Sequence, residues 1–154
     1  MDGRPASTRL VVGYDRHPAS HSALTYAAAL TERLDAHLHV VHVVDVEDMP
    51  VDPDSPDWEQ RVADVVAREH TEAGAALAAI SGRWTYHLQH GNPADLLSSV
   101  ADEYDASMIL IGAPRHGLMS RMERLLGESV SAHLVQHGRR PVVLVPEHTQ
   151  APPP

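Results

Sequence analysis

Five short apolar runs alternate along this chain with stretches patterned for helices: RLVVGYD (9–15), AHLHVVHVVD (36–45), WTYHLQ (84–89), SMILIG (107–112) and PVVLVP (141–146). That alternation constrains the fold more than any other feature. The connections are too long for tight hairpins and suit helical crossovers, which join parallel strands. It implies an α/β fold: one doubly wound domain whose parallel sheet carries helices on both faces. The ligand crevice of such a sheet lies at the C-terminal ends of its central strands. Gly13-Tyr14-Asp15 and Ile111-Gly112 end two of the runs and are placed there. SMILIG, the most apolar run, reads as the central strand.

The helices are legible from spacing and end signals. Ala23, Leu24, Ala27, Leu30, Thr31 and Leu34 recur at helical intervals after Ser20, which reads as an N-cap. Ser55-Pro56 reads as the start of a second helix, with Trp58, Val62, Val65, Val66, Ala73, Ala76, Leu77 and Ile80 as its apolar stripe and Gly82 near its end. Asn92 caps a third at Pro93, with Leu96, Leu97 and Val100 inward. SVSAHLVQHG supplies the last, with Val130 and Leu134 one turn apart and Gly138 closing it.

Composition excludes several classes. A chain of 154 residues with 43% apolar content suits one core. Its formal charge of -9 argues against nucleic acid and anionic membrane as partners. With no cysteine there is no thiol catalysis and no thiolate metal site. No apolar stretch approaches the roughly 20 residues that span a bilayer, and MDGRPASTR has no apolar segment of a signal peptide. A cytoplasmic protein is expected, with a disordered arm at 1–8, the domain at 9–147 and a disordered proline-rich tail at 148–154.

The ordered set VVGYD, HVVHVVD, GNPADLL, ILIGAPRHG, LLGESVS and RRPVVLVP resembles the universal stress protein family over almost the whole chain. The resemblance implies a Rossmann-like sheet of the adenine nucleotide alpha hydrolase type, in the order 3-2-1-4-5. It also implies a homodimer paired through the last strand, and ATP bound through a loop of form G-x2-G-x9-G-(S/T). By that likeness Asp15, with Gly13 and Tyr14 beside it, would meet the ribose or adenine. Val43 would line the base pocket through its backbone, and Ile111 and Gly112 would flank the ribose and first phosphate.

The loop departs from the family form. Gly112 begins it, but Arg115 stands where the second glycine would be. Gly117 and Gly127 keep the G-x9-G half, so the first half is two residues longer, and Glu128 delays the serine to Ser129. A phosphate cradle needs close-approaching backbone N–H groups, which the glycines allow. Arg115 and His116 answer negative charge; Ser129, Val130 and Ser131 open the last helix, whose N-terminus favours an anion. Glu128 opposes this, because two unit charges 4 Å apart repel by about 4 kcal/mol at an effective dielectric of 20. Turned inward, it would instead suit Mg²⁺. The preferred reading is an exposed acid at a helix start beside a working anion site.

Other motifs are weaker. His37 and His39 share one strand face and His42 the other, while His133 and His137 sit one helical turn apart; neither pair has an evident third ligand, and no metal site is expected. GESVS matches part of a nucleophile elbow, but only Glu147-His148 follow as triad partners. The P-loop and dinucleotide fingerprints are absent. The sequence therefore reads as a regulatory binder of adenine nucleotide, ATP with or without Mg²⁺, acting on an unknown protein partner. It is not expected to be an enzyme beyond slow ATP hydrolysis, since no placed general base or lysine is visible. The alternatives are a dimeric scaffold that binds no nucleotide, a binder of AMP or cyclic AMP, and an enzyme on the same fold.

Overall fold

A computed structural model describes residues 7–15, 17–44, 51–113 and 130–148. The strands are β1 (Arg9–Tyr14), β2 (His37–Val44), β3 (Trp84–His90), β4 (Met108–Gly112) and β5 (Val142–Val145). Every pairing is parallel, and the order is β3-β2-β1-β4-β5. The chain winds outward from β1 to β3, then crosses back to β4 on the other side of β1. The strand order thus reverses between β1 and β4, the switch point of a doubly wound sheet. The expected central place of SMILIG is corrected: β1 is the middle strand and β4 lies between β1 and β5. Both are strongly apolar because both are covered on two faces, so apolarity alone does not rank them.

Helices α1 (Pro18–Leu34) and α2 (Trp58–Ala76) cover one face. There Leu10, Val12, Leu38, Val40 and Leu110 pack under Ala23, Leu24, Ala27, Ala73, Leu77 and Ile80. Helices α3 (Pro93–Glu103) and α4 (Val130–His137) cover the other, closing over Val11, Val41, Ile109 and Ile111. The two-residue period of the strands feeds both cores at once.

Expectations for three of the helices need correction. Ser20 is not the cap of α1: His17 is, with Pro18 in the first turn, where a missing N–H costs nothing. Helix α2 begins at Trp58 after Asp57, because Ser55–Asp57 form a turn in which the Trp58 N–H donates to the Ser55 carbonyl. It ends at Ala76 and tightens into a 3₁₀ turn at Ala78–Ile80 before Gly82. That change of pitch leaves Ala76 exposed, although Leu77 and Ile80 are fully buried. Asn92 caps α3 as expected, its side chain accepting from the Asp95 N–H at 3.1 Å, but Leu96 is only half-buried. Of the expected arm at 1–8 and tail at 148–154, residues 1–6 and 149–154 lie outside the described residues.

Candidate functional site

The C-terminal ends of β1, β2 and β4 bring together Gly13, Tyr14, Asp15, Val43, Ile111 and Gly112. Asp15 leaves β1 and holds the turn into α1: its Oδ1 accepts from the His17 N–H at 2.8 Å, and its own N–H donates to Ser20 Oγ at 2.7 Å. Ser20 Oγ also donates to the Gly13 carbonyl at 3.4 Å. Ser20, expected at the start of the helix, is instead a buried clasp on the β1–α1 turn. The periodicity that made it look like a cap could not reveal a bond made backward to the strand.

Gly112, at the end of β4, is needed for packing. A Cβ on Gly112 would stand 2.6 Å from the Ala19 carbonyl carbon and 2.8 Å from the Ser20 nitrogen, so its absence lets the first turn of α1 lie against β4. A Cβ on Gly13 would meet Ile111 at 3.3 Å and Leu97 at 3.4 Å. Ile111 is itself buried and Val43 half-buried. The Tyr14 ring points away from the crevice into the core, where its hydroxyl donates to the Glu69 carbonyl at 3.3 Å and burial pushes its pKa up to about 12. What Tyr14 can offer a ligand is its main chain. Val130 and Ser131 are the first described residues of α4. Arg115, His116, Gly117, Gly127 and Ser129 lie outside the described residues.

Beside this crevice lies a buried polar network that the sequence did not disclose. His42 Nε2 stands 2.8 Å from Glu69 Oε2 of α2, and the Tyr86 hydroxyl bonds His42 Nδ1. Tyr86 donating to Nδ1 leaves Nε2–H for the Glu69 carboxylate, so neutral imidazole joins phenol to carboxylate. Burial, then the nearby His70 and His90, holds His42 down at about 4. On the opposite face His39 Nδ1 lies 3.0 Å from His87 Nε2, and the His39 ring stacks on Tyr104 at 4.0 Å. Burial likewise lowers His39 to about 4. His37 and His39 share that face as their spacing required. Among the described residues, no group of three His, Cys, Asp or Glu side chains stands where it could hold a metal. No helix among them is long and apolar enough to cross a membrane.

The sequence pattern of the universal stress protein family matches residues 7–146. This chain belongs to the universal stress protein family. Universal stress proteins of Mycobacterium bovis and Mycobacterium tuberculosis are 29% identical to it over 169 residues, covering 96% of this chain. The chain spans about half the length of these curated relatives. Among solved structures, a universal stress protein in complex with cAMP is 25% identical, with a TM-score of 0.65 over 92% of this chain and 98% of its own. A family member from Burkholderia pseudomallei is 25% identical, with a TM-score of 0.66 over 90% and 96%. The family fold and the sheet order 3-2-1-4-5 expected from the resemblance are both observed.

Proposed function

We propose that this protein binds an adenine nucleotide at the C-terminal ends of β1, β2 and β4 and acts through conformation or partner recruitment. The supporting observation is the fold shared along nearly its full length with a universal stress protein in complex with cAMP. The described half of the crevice fits the base and ribose: an acidic side chain at Asp15, half-buried Val43, buried Ile111 and a side-chain-free Gly112. Gly13 and the Tyr14 main chain complete that half. Arg115, His116, Gly117, Gly127, Ser129, Val130 and Ser131 would carry the phosphates. The chain holds no lysine, so arginine and main-chain N–H groups would answer their charge. ATP, with Mg²⁺ if Glu128 turns inward, is the first reading.

The cAMP complex of the relative favours a second reading, a nucleotide with one phosphate, which tolerates Glu128 better than a triphosphate does. Calorimetric titration with ATP, ADP, AMP and cyclic AMP, repeated on Glu128→Ser, tests both. Saturable binding of ATP by the natural chain supports the first. Binding of cyclic AMP or AMP alone, with ATP gained by Glu128→Ser, supports the second. No adenine nucleotide bound at millimolar concentration by either protein refutes both.

The proposed assembly is a homodimer through β5, which pairs with β4 on one side only and exposes Leu144.

A further inference from the structure

Helix α2 is held at its middle by polar contacts. Of its 19 residues only Glu69 and Ala73 are buried. It rests on α1 and on the 3₁₀ turn that follows it. At Glu69 it is tied to the sheet twice: the carboxylate meets His42 Nε2 of β2 at 2.8 Å, and the carbonyl accepts from the Tyr14 hydroxyl of β1 at 3.3 Å. The Tyr86 hydroxyl of β3 closes the network on His42 Nδ1, so one turn of α2 is joined to three strands.

Such a seat opens differently from an apolar one. A buried carboxylate and imidazole lose hydration when the helix docks and regain it when the helix lifts, so rupture is partly offset. A half-opened network leaves buried groups without partners, which is costly, so closed and fully released are the two favoured arrangements. Trp58, Val62, Val65 and Val66, only half-buried, add little apolar hold. The latch also adjoins the crevice through the main chain. Tyr14 and His42 are register partners, and the next residues, Asp15 and Val43, belong to the crevice. The Tyr14 ring is buried edge-on between His21 of α1 and His42, with centroids 5.3 and 5.5 Å away. Packed so closely, it cannot swing without moving its own main chain.

We propose that α2 is the moving element of this protein, latched by Glu69 and coupled through Tyr14 and His42 to the adenine end of the crevice, so that a nucleotide bound there holds the helix down. The ligand half of this rests on the nucleotide reading; the latch does not. Amide hydrogen exchange of the full chain, compared with Glu69→Ala and Glu69→Gln, tests the latch. Alanine removes the acceptor for His42 Nε2–H, whereas glutamine keeps one. Glu69→Ala should speed exchange about tenfold along residues 65–76 and also at Asp15 and Val43, and Glu69→Gln should restore most of the protection. Val100→Ala, a cavity on the opposite face, should speed those amides no more than the strand cores. Exchange raised in α2 alone overturns the coupling, and an equal rise in every strand reduces Glu69 to a stabilising residue. If Glu69→Ala does not fold, Tyr14→Phe, which removes only the bond to the Glu69 carbonyl, makes the same comparison. Saturating ATP or cyclic AMP should slow α2 exchange about tenfold, and by linkage Glu69→Ala should weaken the nucleotide by the same factor. Bound nucleotide with unchanged α2 exchange overturns the ligand coupling and leaves the nucleotide reading standing. If no nucleotide binds, that reading and the ligand coupling fail together, and the ligand-free comparison still decides the latch.

Discussion

Gly112 and Gly74 make opposite demands on the chain. A methyl group on Gly112 would collide with backbone atoms of α1 that cannot swing aside, whereas one on Gly74, within α2, would meet nothing within 4 Å. Gly112→Ala should therefore destabilise by about 1–3 kcal/mol through overpacking, and Gly74→Ala should stabilise by roughly 0.5–1 kcal/mol through helix propensity. Thermal unfolding of the two variants should move in opposite directions; equal shifts would refute the close approach of α1 to β4. Loss of ligand binding in a Gly112 variant would consequently report on packing as well as on phosphate contact. The buried histidines make a separate prediction at this scale. His39 and His42 titrate near 4 when folded and near 6.5 when unfolded, so between those values the unfolded chain binds more protons. Their stabilisation is complete above about pH 6.5 and is lost as pH falls towards 4, by up to about 3 kcal/mol for each. Denaturant unfolding at pH 7 and pH 5 should show lower stability at pH 5, and a flat profile would contradict the neutral burial of both rings.

Helix α2 is the element that its sequence describes least well. Trp58, Val62, Val65 and Val66 form a convincing stripe, yet they are only half-buried, and within the helix just Glu69 and Ala73 are buried. Its docking depends on the Glu69 contact with His42 and on Leu77 and Ile80 just beyond its end. Glu69→Ala leaves a buried imidazole N–H without an acceptor and should cost roughly 2–4 kcal/mol, about as much as the cavity made by Leu77→Ala. Val62→Ala should cost less than about 1 kcal/mol. Hydrogen exchange should find the first turns of α2 opening more readily than its last, since few apolar contacts hold them. Helix α3 is the contrary case: Asn92, Pro93 and the inward Leu97 and Val100 were all readable, because a cap and a short amphipathic face are local properties.

At the scale of the whole molecule, the outer edge of the sheet bears on assembly. β5 is a four-residue edge strand with exposed Leu144. If two copies pair there, Leu144→Asp should shift the dimer to monomer by sedimentation while leaving the fold intact, because the side chain already faces outward. A natural chain that sediments as a monomer at micromolar concentration would remove the dimer from the account.

By itself the sequence determined the alternation of strands and helices, the parallel sheet and the residues at its C-terminal edge. Period, caps and crossover length are short-range properties that neighbouring side chains declare without knowledge of the rest of the chain. The family motifs added the strand order. Only the tertiary structure decided that Ser20 clasps β1 and that Tyr14 turns into the core. It also joined His42 to Glu69 and Tyr86, and His39 to His87, across 27 to 48 positions of chain. Those pairings depend on register between strands and on the seating of a helix over them, and a buried polar group acquires its partner only when the chain closes around it.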